Sequence, residues 1–442
     1  MTATEFPSIE IERIRLGMYV LLDLGWRNHP FLRNRFMLRT PEQLQQLRAL
    51  GLKTVRYCPD RSEQAPLPVK SIEIDAGSQT GAAQPIEVDR STPSNRYVDV
   101  KPLTEAEWER DALQRVEAEY DEMSQAHRRL ISLLPRAPRD ARKAADSLAQ
   151  TLYQTIADCD LPAVRLLSEH AGRQASGHEM GVSALSVLLA RECGMDTQAQ
   201  KNLALASLLH DMGKLHLLPQ AREDHPALSE SERKNYKEHV ALGLELARSM
   251  DLSAEVSRAI AEHHEYADGS GFPSGRRLEQ LSPQGRVLII TNRYMNLISP
   301  LRAELGLTPH QALQQMYGAE RGRFDPHLLA RFVRILGVYP PGTLVELTDL
   351  RKAIVVASRP GASLAPRVQI IDDPREPDLG ATLDTEMQGE LRVRRSVPVD
   401  ELSPLWARRA RDLARSPLFV EPQTTPLWRS WGSAESEPAL DY

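Results

Sequence analysis

Cysteine is nearly absent. The 3 in 442 residues, Cys58, Cys159 and Cys193, are scattered and fall in no Cys-x-x-Cys spacing. They read as reduced thiols of a cytosolic protein rather than as a disulfide framework. Long apolar runs are missing too, since no window approaches the roughly 20 apolar residues of a membrane span. The opening MTATEFPSIEIERIRLG carries acidic residues and no apolar stretch, so it does not read as a signal peptide. There is no excess of positive charge: a formal net charge of -5 and a pI of about 6.2 give no overall pull toward a nucleic acid polymer or an anionic membrane. An anionic substrate would need local positive charge, from a metal or a placed Lys or Arg. What remains is the balance of a soluble globular chain, 41% hydrophobic and 26% charged, long enough for two or three domains.

Residues 6–58 read as a small α+β unit. GMYVLLDLGW has the β-branched and aromatic content of a strand. In RTPEQLQQLRALGLKTVRYC, Thr40 can cap a helix and Pro41 takes its first position. Leu44, Leu47 and Leu50 share a face, Gly51 ends the helix, and a strand follows. Residues 59–103 are rich in Pro, Ser, Gly, Gln and Asp without sustained period, the composition of a mobile linker. TEAE at Thr104 matches a capping box and opens a long connecting helix within 104–138. Its stripe of Trp108, Leu113, Val116, Tyr120, Met123 and Leu130 could pack on the next domain or, over 104–134, on a second copy of the chain. Within 139–342 every clear signal is helical. Three β-type runs follow in 343–372 (TLVELTD, KAIVVAS, RVQIID), then a Pro- and charge-rich tail, 373–442, expected to be partly disordered, with one helix, SPLWARRARDLARS.

Five of the 12 histidines lie in or beside polar breaks of the helical segment: His178, His210, His239, His263 and His264. In ALASLLHDMGK an apolar helix runs into His210 and Asp211 before Gly213 ends it. Charge beside a core face is costly unless paired or metal-bound. His264 extends the buried face marked by Val256 and Ile260, and His239 is followed by Leu242 and Leu246 on one face. One such histidine is an ordinary core or helix-end residue; five with an aspartate among them point to metal. Imidazole and carboxylate suit Fe, Mn, Zn or Ni alike. A two-metal centre is the common apparatus for displacing an oxygen at phosphorus. Lys214 can add a point charge on a phosphate oxygen.

The order of His178, HDMGK at 210–214, His239 and HHEYADGSGFPSG at 263–275 resembles the HD-GYP phosphodiesterases, a branch of the HD superfamily. RFDPHLLARFVRILGVYPPGTLVEL at 323–347 is similar to that family's C-terminal segment, so the likeness covers about 175–350. IERIRLGMYVLLDLGWRNHPFLRNRFMLRTPEQLQQLRALGL is similar to the small domain of unknown function often found before HD-GYP domains. The resemblance implies a mainly α fold: an HD-type all-helical metal-binding domain, preceded by the small α+β domain and followed by a short β segment and a poorly ordered tail. It implies two divalent metal ions held by His178, His210, Asp211, His239, His263, His264 and the residue at Asn292. Asp211 and Lys214 take the catalytic roles, bridging the metals and contacting phosphate. Lys214, Asp268, Gly269, Gly271, Phe272 and Pro273 shape the substrate pocket, and the substrate implied is cyclic di-GMP, cleaved to linear products.

Three positions depart from the family. Gln174 stands where three-metal members carry Glu, Phe272 where the naming motif has Tyr, and Asn292 where the final ligand is Asp. An amide oxygen can coordinate without supplying charge. Two readings therefore stand: a cytoplasmic metal-dependent cyclic di-GMP phosphodiesterase, and a degenerate cyclic di-GMP-binding or scaffold module with little turnover. An HD phosphohydrolase acting on another nucleotide fits the DGSGFP loop less well. Partners allowed by either reading are a second copy through the 104–134 helix and signalling proteins.

Overall fold

The computed structural model describes residues 7–22, 35–38, 41–59, 62, 64, 66, 105–157, 162–167, 177–218, 221–222, 228–300, 306–358, 364–371, 382–385, 391–404, 406–407 and 418–422. The chain divides into two units, 1–115 and 116–442. In the first, strands β1 (Ser8–Glu10), β2 (Tyr19–Leu21), β3 (Arg35–Met37) and β4 (Thr54–Cys58) form an antiparallel sheet in the order β1-β4-β2-β3. Helix α1 (Pro41–Ala49) lays Leu47 into a core with Ile9, Ile14, Met18, Val20, Leu22, Leu38 and Val55. Gly51, at φ 71°, takes the left-handed turn that lets the chain leave α1 and enter β4. Thr40, the expected cap, and nearly all of 59–103 lie outside the described residues.

Helix α2 (Glu105–Leu133) runs from the first unit into the second. From residue 116 onward its stripe is used within the chain, because Val116, Tyr120, Met123 and Leu130 are all buried. Of the two expectations for the stripe, these four side chains follow the first, packing within the chain. The Trp108 side chain lies outside the described residues.

The rest of the second unit is a helical stack: α3 (Pro138–Ala157), α4 (Gly177–Glu192), α5 (Thr197–Leu209), α6 (Glu230–Ser249), α7 (Ala254–Glu262), α8 (Pro283–Ile298), α9 (Pro309–Tyr317) and α10 (Pro326–Leu336). Most starts are chemically marked. Asp196, Ser253, Ser282 and Asp325 accept first-turn N–H groups, and Ser229 and Thr308 complete capping boxes. Helix α4, apolar on nearly every face, lies at the centre against α3, α5, α8 and α10, while α7 packs on α5, α6 and α8. A helix buried all round is what such a composition requires.

The three β-type runs of 343–372 form β6 (Leu344–Leu347), β7 (Lys352–Ser358) and β8 (Arg367–Ile370). The sheet they belong to is larger than the sequence suggested. It includes β5 (Pro162–Leu166), inside the span read as wholly helical, and β9 (Thr382–Asp384), β10 (Val393–Ser396) and β11 (Leu418–Pro422) from the tail. The path is β10-β6-β7-β5-β11, with β8 on β7 and β9 on β8. Thus the described parts of 373–442 are largely built into the fold. Of SPLWARRARDLARS, the described residues 404, 406 and 407 are helical.

Candidate metal centre

Five helices and one turn meet at the centre. Helix α5 is buried from Leu203 to Leu209 and ends on His210, still helical at φ -55° and ψ -36°. Asp211, at φ -99° and ψ 7°, leads out of it into the 3-10 turn Met212–His216, which lies against α6. Gly213 permits that approach: a Cβ there would fall 1.9 Å from the His239 carbonyl oxygen and 2.5 Å from Gly243 N. His178 comes from the first turn of α4, His239 from within α6, His263 and His264 from the end of α7, and Asn292 from the middle of α8.

The Asp211 carboxylate faces two groups of imidazoles with different oxygens. Oδ2 lies 3.3 Å from His210 Nε2 and 3.8 Å from His178 Nε2, while Oδ1 lies 3.6 Å from both His239 Nε2 and His263 Nε2. Donor atoms of Asp211, His239, His263 and His264 fall within 4.8 Å of one another, and so do those of His178, His210 and Asp211. Lys214 Nζ donates to Oδ2 at 2.7 Å and lies over the Tyr236 ring.

The imidazoles are oriented by backbone. His210, His239 and His263 each place Nδ1 on the carbonyl three residues earlier, at 2.7, 2.5 and 2.6 Å. A carbonyl only accepts, so Nδ1 carries the proton and Nε2 of the neutral ring is a bare lone pair. His239 Nε2 and His263 Nε2 then confront each other at 3.2 Å beside Asp211 Oδ1, three acceptors with no proton between them. Asp211 Oδ1 and His210 Nε2 are buried without a hydrogen-bond partner. Buried acceptors gathered this way are costly unless a cation satisfies them. The residues fit divalent metal.

Ionisation agrees with that fit. Burial pushes His178 down to about 4 and His239 to about 3, and lowers His263 and His264 as well. These four rings are neutral at pH 7 and need lose no proton to coordinate. Burial acts the same way on His210, but the adjacent Asp211 carboxylate reverses it and the ring ends above its ordinary value. Burial would raise Asp211; Lys214 and His210 outweigh it and hold the carboxyl well below the usual range. Lys214 is itself pushed up, the Asp211 attraction exceeding its desolvation.

Asn292 is buried, with Oδ1 3.1 Å from His178 Nε2. Asn296 Nδ2 donates to the same oxygen at 3.1 Å. The loop residues fall into two sets. Phe272 stacks on His264 with ring centroids 4.5 Å apart and donates its N–H to the His264 carbonyl. Gly271 passes so close to His264 and Glu265 that a Cβ would meet backbone at 2.4 Å. Asp268 is exposed and accepts from Ser270 N, Gly269 turns at φ 80°, and Pro273 is exposed after a cis peptide. Among the described residues no hydrogen bond or ion pair joins Asp268 or Pro273 to the histidines. Gln174 lies outside them.

Sequence reasoning missed two buried supports. Glu265 accepts from Ser274 N and Arg276 N, at 2.7 and 3.0 Å, and so closes the loop. Tyr236 holds its hydroxyl 3.2 Å from His264 Nε2. Neither breaks an apolar pattern, although Glu265 directly follows the histidine pair.

Residues 152–328 match the HD domain family, and residues 7–145 match a domain of unknown function, DUF3391. By these matches the chain carries an HD domain preceded by a DUF3391 domain. The resemblance to the HD-GYP branch drawn from motif order is borne out. This HD-domain protein is 29% identical over 374 residues to cyclic di-GMP phosphodiesterase PA4108 of Pseudomonas aeruginosa, covering 82% of this chain and 84% of that one. It is 31% identical over 156 residues to the cyclic di-GMP phosphodiesterase response regulator RpfG of Xanthomonas campestris, covering 35% of this chain and 41% of that one. Among solved structures it is similar to Bd1817, an HDG"Y"P protein from Bdellovibrio bacteriovorus, at 15% identity and a TM-score of 0.41, covering 75% of this chain and 99% of that one. No described helix of the HD-domain protein is long and apolar enough to cross a membrane.

Proposed function

We propose that this HD-domain protein is a metal-dependent phosphodiesterase that hydrolyses cyclic di-GMP to linear products. The observation that carries the reading is the single carboxylate shared between two imidazole groups, with an ammonium on one of its oxygens. A relative named for this activity, similar over most of both chains, supports the substrate. His178, His210, Asp211 and Asn292 would hold one divalent ion, and Asp211, His239, His263 and His264 a second, with Fe, Mn, Zn or Ni all compatible with the donors. Divalent ions there supply charge that polarises a phosphoryl oxygen and makes water nucleophilic at neutral pH.

The chain's own contributions follow from the geometry. Lys214 uses one N–H on Asp211 and keeps two for a phosphate oxygen, where they offset charge that grows as the phosphorus–oxygen bond breaks. Glu265 presets the loop of Asp268, Gly269, Gly271, Phe272 and Pro273, so binding need not order it. Phe272 offers a ring anchored on His264. Cytoplasmic cyclic di-GMP would be the partner, with signalling proteins acting through the first unit.

Asn292 favours a second reading, a binding module with little turnover, because the first ion would meet one carboxylate instead of two. The deciding experiment measures bound metal and cyclic di-GMP hydrolysis in wild type and Asp211→Ala, with Mn, Fe, Zn and Ni each in excess. Hydrolysis in wild type, with metal and turnover both lost in the variant, is expected. Cyclic di-GMP binding without hydrolysis under every metal would move the protein to the second reading, and full metal retention in Asp211→Ala would refute the shared carboxylate.

A further inference from the structure

Leu208 precedes His210 by two residues, and its carbonyl belongs to the last turn of α5, where carbonyls have no helical N–H to accept. His127 on α2 places Nε2 3.1 Å from that oxygen across 81 residues of sequence. The carbonyl can only accept, so His127 Nε2 is the donor. Both residues are buried. The neighbouring carbonyl, Ser207, receives Nδ1 of His210 itself. Two successive carbonyls of the turn are therefore held, one by a candidate ligand and the other from α2.

His127 falls in the row Tyr120, Met123, His127, Leu130 that α2 buries, a polar ring with the buried Ser124 beside it. An imidazole there costs desolvation that a leucine would not, and the bond to Leu208 is what offsets it. The bond also joins two segments that match different families, since His127 lies within 7–145 and Leu208 within 152–328. We infer that His127 is a positioning residue for the metal centre: by holding the Leu208 carbonyl it fixes the last turn of α5 and hence the direction in which His210 and Asp211 leave it. The inference rests on the metal-centre reading above.

The test uses full-length protein stripped of metal and titrated with Co²⁺, whose visible absorption reports coordination geometry. His127→Phe keeps ring volume without the donor, and His127→Gln restores an N–H near the position of Nε2. Outer groups that orient ligands typically change metal affinity ~10- to 100-fold when removed. Co²⁺ affinity is expected to fall at least about tenfold in His127→Phe with an altered spectrum, and to recover in His127→Gln. If only the unfolding temperature of the metal-free protein drops, with Co²⁺ affinity and spectrum unchanged, His127 is merely structural and the inference is overturned. Should His127→Phe fail to fold, His127→Asn, too short to reach Leu208, takes its place against His127→Gln, and equal affinities overturn the inference. Wild-type protein that takes up no Co²⁺ would refute the metal centre itself, whereas normal uptake in wild type and variants alike refutes only the role of His127.

Discussion

Asn292→Asp converts one buried amide into a carboxylate of nearly the same volume, so its effect is almost purely electrostatic. Asn292 Oδ1 is 3.1 Å from His178 Nε2, which in turn is 3.8 Å from Asp211 Oδ2. Two carboxylates would then flank one imidazole. Unit charges ~5 Å apart at an effective dielectric of ~20 interact by ~3 kcal/mol. Without metal that energy is repulsive, and the 3.5 Å contact from Asn292 Nδ2 to the His263 carbonyl is lost as well. With a divalent ion the added carboxylate is attracted about twice as strongly as two unit charges would be. The substitution should therefore lower the unfolding temperature of the metal-free protein by several degrees and raise it more than wild type on adding Mn²⁺. Affinity for the first ion should tighten at least about tenfold, a change worth ~1.4 kcal/mol. Scanning calorimetry with chelator and with Mn²⁺ reads the first effect, chelator competition the second, and cyclic di-GMP turnover the consequence. Unchanged metal-free stability together with unchanged affinity would show that the amide faces no cation, and the reasoning would fail.

Lys214→Met should cut the turnover number about 100- to 1,000-fold, the usual cost of removing one donor to developing charge. Metal should bind no more weakly, since Asp211 Oδ2 loses its ammonium partner at 2.7 Å; a loss of metal with normal turnover per bound ion would contradict that role. Gly213→Ala places a Cβ against the His239 carbonyl, so both stability, by about 1–3 kcal/mol in denaturant titration, and metal content should fall. Wild-type values for both would show that the turn and α6 can separate at little cost. Burial would raise Glu320, but its bonds to Arg293 win and hold the carboxyl below the ordinary 4.5. A depressed folded value adds stability that is complete above the unfolded value and disappears as pH falls through the folded one. Arg293→Met should thus be most destabilised relative to wild type near neutrality, with the difference shrinking below pH 4.5; a pH-independent difference would rule out the ion pair as its source.

The ligand candidates were legible because each puts a polar, metal-competent side chain where an apolar pattern predicts a core residue. His210 and Asp211 end α5, His263 and His264 end α7, and His239 lies on the buried side of α6. What orients them was not legible. The carbonyls of Ser207, Tyr236 and Ile260 receive Nδ1 of the histidine three residues on, and every residue type offers the same carbonyl. His127 and Glu265 escaped notice for a related reason: their partners are backbone atoms, a carbonyl 81 residues on for His127 and the N–H groups of Ser274 and Arg276, which any residue but proline offers, for Glu265. Strand β5 was hidden too, because its partners β7 and β11 follow only after the whole helical stack. Pairing over such distances leaves no local period.

Asn292 shows how far orientation can replace charge. It lies inside α8, and its side chain is not held by the carbonyl three residues earlier as those of His210, His239 and His263 are. Its neighbours fix it instead. Asn296 Nδ2 can only donate and faces Oδ1, while the His263 carbonyl can only accept and lies toward Nδ2. A flipped amide would set donor against donor and acceptor against acceptor, so the oxygen is the atom presented to His178. An ion at the His178, His210 and Asp211 group would therefore meet a correctly aimed oxygen without a charge. The difference from an aspartate at this position is then one of affinity rather than architecture. It follows that raising free metal well above the wild-type dissociation constant should recover turnover in the wild-type protein, without Asn292→Asp, if the chain is an enzyme. Rates that stay at background while metal analysis shows both groups filled would mean that the missing charge is needed for the chemical step itself.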